Sequence, residues 1–468
     1  MLTVYPSNKM EDLVLLLKAV QHYRSDDPSE IKDVLSPDIV LVESKGMQHW
    51  LNLKLAKHQG IAMNYQFRMP VGFIWDIARI LLGDDVPRQS PYKREILSWR
   101  IDALMSQDSF LSNPLCKPAR QYWMDENGSA DPLKRYQLAS RMGDVFEQYM
   151  MFRPDWLELW ENNQFITNEP DIDKQTEQWQ AWLWRELVAE EPCHPVSLQK
   201  RAIDAMADYS GNQLPRQIMI FAVNTMAPQS LSFFEALASV CNIHLFYLNP
   251  CVEFWGEIQS DKTLAGQQRE NKLELWLNED ETVQSRNSLL ANLGQQGKDF
   301  FNLLQEVKGY EISAFDEAFD QDTLKQTKDT LLGRVQRDIL NLVEPEELEI
   351  PEDHGQSLVI RSSHSELREI QALHDYLLHQ FNAEPDLKPR DVIVLCPAIE
   401  DYAPYIEAVF RSSYDSEQYD EHPRLPCSIA DRTLMNSEPL IAAFIDLLQL
   451  PDSRFEVSKI MDYLRLPA

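Results

Sequence analysis

Short continuous apolar runs recur along this chain, and a stretch with helical spacing follows most of them. Leu2–Tyr5 precedes Glu11–Val20, Ile39–Glu43 precedes Met47–Ala56, and Gln217–Val223 precedes Ser230–Ala238, with Ile243–Leu248 as a further run. Later, Ser357–Arg361 precedes Glu366–Phe381, Val392–Cys396 precedes Asp401–Phe410, and Cys427–Ala430 precedes Glu438–Leu450. Unbroken apolar strands alternating with helices predict an α/β fold whose parallel sheets carry helices on both faces.

Two stretches break this rhythm. Residues 77–205 are helical in pattern and rich in aromatics, without strand signals, and residues 252–345 are acidic, polar and rich in Gln. Glu344–Gly355 clusters acidic residues with two prolines and a glycine, which reads as a linker. The expected organisation is a first α/β domain from residues 1–76 and 206–345, with 252–345 as an acidic, partly helical extension. Residues 77–205 form a helical insertion. Residues 346–468 form a second α/β domain, broken off at the start of a further helical insertion.

Charge and composition narrow the function. The 468 residues carry a formal charge of −30, with 74 acidic side chains against 44 basic ones. Nonspecific attraction to nucleic acid needs Lys and Arg facing phosphate, so bulk charge argues against it but leaves open a locally basic channel or a basic partner. No apolar run approaches the roughly 20 residues of a membrane span, and the N-terminus has no signal-peptide pattern. Six scattered cysteines without C-x-x-C spacing suit a reducing cytoplasm.

The N-terminal strand–loop–helix has the layout of a phosphate-binding P-loop, yet its loop, Pro6-Ser7-Asn8-Lys9, has no glycine, and no hydroxyl residue follows Lys9. The best candidate for an acid-bearing strand, Gln217–Val223, runs into Asn224-Thr225-Met226-Ala227-Pro228 without a carboxylate for Mg²⁺. Either an ATP site has decayed here or this α/β fold never held one. Cys193–His194 and Cys241/His244 lack partners at metal-ligand spacing, and neither G-x-S-x-G nor H-E-x-x-H occurs. No catalytic residue, metal or cofactor is therefore expected.

The segment Tyr136–Met151 is more informative. Leu138, Met142, Val145, Phe146 and Tyr149 share one face at helical spacing, while Asp144, Glu147 and Gln148 fall largely on the other side. Such polar residues are most often a solvated face. They could also pair with the base edges of a splayed single strand. Tyr122, Trp123, Trp156, Trp160, Trp179, Trp182 and Trp184 crowd the same region, and most are expected to fill its core while some could stack bases.

Several ordered segments resemble the RecC family, the gamma chains of exonuclease V. They are "LTVYPSN", "VLVESKGMQHWL", "GIAMNYQFRMPVGFIWD", "FEQYMMFRPDWL", "FYLNPCVEFWGEI", "DLKPRDVIVL" and "DYAPYIEAVF", spread from one end of the chain to the other. The resemblance implies helicase-like domains of degenerate P-loop type, with Ser7, Asn8 and Lys9 as the remnant of the nucleotide loop. It implies a cytoplasmic bacterial protein in a heterotrimer with RecB-like and RecD-like subunits. Such a complex is an ATP-dependent helicase–nuclease acting in DNA repair and recombination. In it, this non-catalytic chain guides the 3′-ended single strand and recognises Chi. Family contact positions carry over to Met69, Trp75, Asp144, Val145, Glu147, Gln148 and Arg153. The sequence departs from the best-known member at Glu43, Lys45, His49 and Pro195. A passive scaffold for a helicase partner and an active ATP-dependent helicase are the competing readings.

Overall fold

A computed structural model describes all residues except 23–35, 126–127, 170, 212, 261–286, 316–329, 345–355, 411–424, 431, 434–437 and 465–468. The described chain divides into two compact units, Met1–Ser357 and Leu358–Ala468. Most of the expected linker Glu344–Gly355, and parts of the expected acidic extension, lie outside the described residues.

The first unit is built on six strands: β1 (Leu2–Ser7), β2 (Asp38–Leu41), β3 (Tyr65–Arg68), β4 (Gln217–Phe221), β5 (Asn242–Leu248) and β6 (Tyr310–Glu311). They form one sheet in the order β3-β2-β4-β5-β1-β6, and every pair is parallel. The α/β expectation is met here. The two edge strands, β3 and β6, carry too few apolar residues to announce themselves, because an edge strand needs little burial.

Alternation along the central strands separates two cores. Ile218 and Ile220 of β4 and Ile243, Leu245 and Tyr247 of β5 face one side; Met219 and Phe221 of β4 and Phe246 of β5 face the other. On the second side lie α1 (Met10–His22), which follows β1, and α2 (Lys45–Gln59), which follows β2. On the first side lies α3 (Pro70–Leu82), through Phe73, Ile77 and Ala78. Both faces are thus covered, as a parallel sheet requires.

Between β3 and β4 the chain is helical: α3, then α4 (Arg94–Met105), α5 (Asp108–Leu111), α6 (Lys117–Arg120), α7 (Pro132–Phe152), α8 (Pro154–Glu161), α9 (Lys174–Glu190) and α10 (Pro195–Ala207). Asp131 caps α7, accepting from the N–H groups of Leu133 and Lys134. Pro195 opens α10 behind the His194 cap, a first-turn position where a missing N–H costs nothing. The layer has its own core around Tyr92, Phe110, Phe146, Trp160 and Trp184. Of the aromatics singled out in sequence, Trp123, Trp160, Trp179 and Trp184 are buried, Trp156 and Trp182 half-buried, and Tyr122 is exposed. The chain returns through β4 to α11 (Pro228–Leu237) on the α3 side of the sheet.

The second unit contains the helices Glu366–Ala383, Ile399–Phe410, Pro439–Gln449 and Val457–Leu464. Tyr402 donates to Glu369 at 2.9 Å, and His374 meets Phe410 edge-on, tying the first two together. The three strands expected at Ser357–Arg361, Val392–Cys396 and Cys427–Ala430 do not form among the described residues. A strand is stable only beside paired neighbours with its faces covered. Here Ile360 is 92% exposed and Leu395 84%. Apolar content alone does not produce a ladder.

No helix among the described residues is long and apolar enough to cross a membrane. All six cysteines are free; four are buried. Burial pushes the Cys116 and Cys251 thiols up to about 11 and Cys241 to about 12, so these behave as apolar filler.

Candidate nucleic-acid interface

At the carboxyl edge of the sheet, β1 ends at Ser7 and only Asn8 and Lys9 separate it from α1. Ser7 is fully buried; its Oγ accepts from the Lys9 N–H at 3.2 Å and its carbonyl from the Asn249 N–H at 2.9 Å. The hydroxyl thus braces the turn. β4 is followed by Ala222, buried in the left-handed region with φ 49°, then by Val223, Asn224 and Thr225. A carboxylate does lie near this strand end, supplied by the neighbouring strand: Glu43, just past β2. Partial burial raises its pKa and outweighs the downward pull of the Thr225 and Asn224 backbone.

Met69 and Trp75 both belong to α3. Met69 is its N-terminal flanking residue, 61% exposed beside exposed Val71. Trp75 is half-buried against the sheet-side core, and its indole N–H donates to the Pro87 carbonyl at 3.0 Å. That placement makes Trp75 chiefly a packing residue.

Asp144, Val145, Glu147 and Gln148 lie on α7, and Arg153 stands where α7 passes into α8. The buried stripe of α7 is Ala139, Met142, Gly143, Phe146 and Met150, rotated from the expected one; Leu138, Val145 and Tyr149 flank it, half-buried. The cause is close approach of α4. A Cβ on Gly143 would lie 2.8 Å from Ser98 Oγ, which itself donates to the Arg94 carbonyl at 2.7 Å. Small residues mark this seam, and a hydrophobicity pattern does not see them.

Glu147 and Gln148 are exposed, as expected of a polar face. Asp144 is not: its side chain is 19% exposed, paired with Arg94 at 2.5 Å and with Arg141 at 3.9 Å. Asp102 and Arg135 make a second α4–α7 bridge at 2.8 Å, so the two helices run antiparallel. Arg153 lies 4.0 Å over the Trp156 ring and pairs with Asp155 at 3.1 Å and Glu169 at 3.0 Å. Its bond to Asp155 holds the guanidinium pKa above the usual range. Arg153, Trp156 and Phe165 line an open cleft at the end of α7.

The structure thus groups the expected contact positions into two sets, one on α3 and one along α7 to Arg153. Among the described residues no hydrogen bond or ion pair joins them. Among the described residues no cluster of His, Cys, Asp and Glu could hold a metal. Sequence reasoning missed the basic partner of Asp144, since Arg94 lies fifty residues away on α4.

The family description "RecC, N-terminal domain" matches residues 2–342 of this chain. The chain belongs to the RecC family. Over its full length it is 31% identical to the RecBCD enzyme subunit RecC of Haemophilus influenzae and 33% identical to that of Escherichia coli K12. It is 27% identical to the RecC subunit of Mycobacterium tuberculosis H37Rv over 92% of its length. The chain spans 44%, 42% and 38% of the lengths of these three relatives.

Proposed function

We propose that this chain is the N-terminal part of a non-catalytic subunit of a RecBCD-type helicase–nuclease, in which it guides the 3′-ended single strand and reads a Chi-like sequence. The observation that carries this reading is the outward face of α7. It offers the free carboxylate of Glu147 and the amide of Gln148 to a passing strand, with charge-paired Asp144 behind them and Arg153 at the helix end. Carboxylates repel phosphate, and carboxylates and amides both discriminate base edges, so this face supplies selectivity more than affinity. The all-parallel sheet, with a glycine-free loop after β1 and no carboxylate on the strand end Asn224-Thr225 itself, supports a helicase-like domain that has lost its nucleotide site. Partners of RecB and RecD type, and a role in recombination and repair, belong to this proposal through the relatives' names.

One observation favours a scaffold instead: Asp144 and Arg153 are both already engaged within the protein. Strand-specific photocrosslinking separates the two readings. A photoreactive group placed at Gln148 in the complex should label the 3′-ended strand and leave its complement unlabelled. Labelling of neither strand would favour the scaffold.

A further inference from the structure

Among the described tryptophans, Trp99 alone is exposed; 62% of it faces solvent. It projects from α4 off the buried stripe of Leu97, Ile101 and Leu104, and its ring lies 4.5 Å from that of Tyr136 on α7, at an interplanar angle of 39°. Ile96, one turn back on α4, and Leu133, one turn back on α7, are 37% and 66% exposed. The seam between the two helices therefore carries an apolar, aromatic-centred patch. Leaving a tryptophan in water forgoes a large burial gain, and exposed patches of this kind mark binding surfaces.

The charge around it departs from that of the whole chain. Across residues 93–102 and 131–144 six basic side chains stand against four acidic ones, Glu95, Asp102, Asp131 and Asp144, in a protein of net −30. Arg100 turns inward to the Leu187 carbonyl and Arg135 to Asp102. Lys93 is exposed; Arg94 and Arg141, both paired with Asp144, and Lys134, beside Asp131, still keep 53%, 73% and 56% of their side chains exposed. The patch also runs into the readout face. Tyr136, Ser140 and Asp144 follow at four-residue intervals along α7, a row about 12 Å long, and Gln148 continues it.

We infer that Trp99 and Tyr136 form a stacking platform for an unpaired base of single-stranded DNA, next to the α7 readout face and upstream of it along the helix. An aromatic face accepts any base, and the flanking cations steer the sugar–phosphate backbone. The platform supplies affinity where the carboxylate-bearing face supplies selectivity. It rests on the proposed DNA-guiding role, and the experiment separates the two.

The 468-residue chain is titrated with oligothymidylate and with an abasic oligonucleotide of equal length, at several salt concentrations. Wild type should prefer the oligothymidylate. Trp99→Ala should lower that affinity about tenfold, abolish the preference over the abasic strand, and leave the salt slope unchanged. Trp99→Phe should restore most of the binding, and Arg141→Ala should reduce the salt slope by about one. Iododeoxyuridine in the strand should crosslink to Trp99 or Tyr136. Because Trp99 is exposed, its substitution should leave melting unchanged, and the crosslink reports on wild type in any case. Binding by wild type that is unaffected by Trp99→Ala, with crosslinks elsewhere, would overturn the platform and spare the DNA-guiding role. No binding of single strands by wild type, alone or in the complex, would overturn both.

Discussion

The parallel sheet and the helical layer between β3 and β4 are held together in different ways. The sheet is dry. Its central strands bury Ile218, Ile220, Phe221, Ile243, Leu245 and Phe246 completely or nearly so, with apolar neighbours on both faces. The helical layer is an aromatic core threaded by polar groups, several of them answered within it, although the buried indole N–H groups of Trp123 and Trp156 are left without a partner among the described residues. Glu177, 4% exposed, accepts from the Trp160 indole N–H at 3.1 Å and the Ile166 N–H at 2.7 Å. Glu161 accepts from the Trp184 indole at 2.9 Å and faces buried His194 at 3.2 Å. The buried Tyr92 hydroxyl donates to the carbonyls of Leu187 and Glu191. A sheet of this kind fixes a frame. The polar lacing fixes helix orientations, and hence the direction in which α7 presents its outward face.

Substitutions can test that contrast. The largest effect belongs to the sheet: Phe246→Ala, which empties a site between Tyr5 and Phe221, should cost about 3–5 kcal/mol, read from urea unfolding. A loss below about 1 kcal/mol would mean that the sheet repacks and is not the rigid frame. Next comes Glu177→Ala, which orphans one buried and one part-buried donor and should cost about 2–4 kcal/mol. The isosteric Glu177→Gln should recover part of this. Gly143→Val should push α4 off α7, because the added atoms meet Ser98 and the Arg94 carbonyl. We expect about 1–3 kcal/mol and a weakened Arg94–Asp144 pair.

A smaller effect is the pH dependence of Glu161. Burial raises its pKa, but the bonds from His194 and Trp184 outweigh burial and leave it below the ordinary 4.5. A carboxyl depressed in the fold contributes stability that is present above its unfolded pKa and lost as pH falls through the lower folded value. With the side chain partly exposed the contribution is at most about 1 kcal/mol. Unfolding at a series of acidic pH values should show Glu161→Gln less acid-sensitive than wild type below about pH 4.5. Equal acid sensitivity would remove Glu161 from the lacing.

What could be read from sequence follows the same division. β1, β2, β4 and β5 and the helices α1, α2 and α11 announce themselves, because strands buried on both faces are continuous apolar runs. α7 is legible as a helix with a polar side. Its rotation is not, because Ala139 and Gly143 pack through smallness and not through hydrophobicity. Nor is the pairing of Asp144 with Arg94 legible, since it depends on α4 crossing at that point. Trp99 does carry a sequence signal: it falls off the Leu97–Ile101–Leu104 stripe of its own helix. The apolar runs of the second unit mislead, because a strand needs neighbours that its own residues do not encode. The likeness to the RecC family, by contrast, was legible in ordered segments along the whole chain.

The central claim is that the exposed residues of α7 read bases. The most direct measurement is digestion of DNA with and without the recognition sequence by the complex carrying Glu147→Ala or Gln148→Ala in the full-length subunit. Each residue should contribute about 1–3 kcal/mol of base discrimination, so site-dependent cutting should weaken or change its preferred sequence. Digestion of ordinary DNA should continue at the wild-type rate, and stability should shift by less than about 0.5 kcal/mol. Wild-type, site-dependent cutting in both variants would contradict the claim and return this face of α7 to plain solvent.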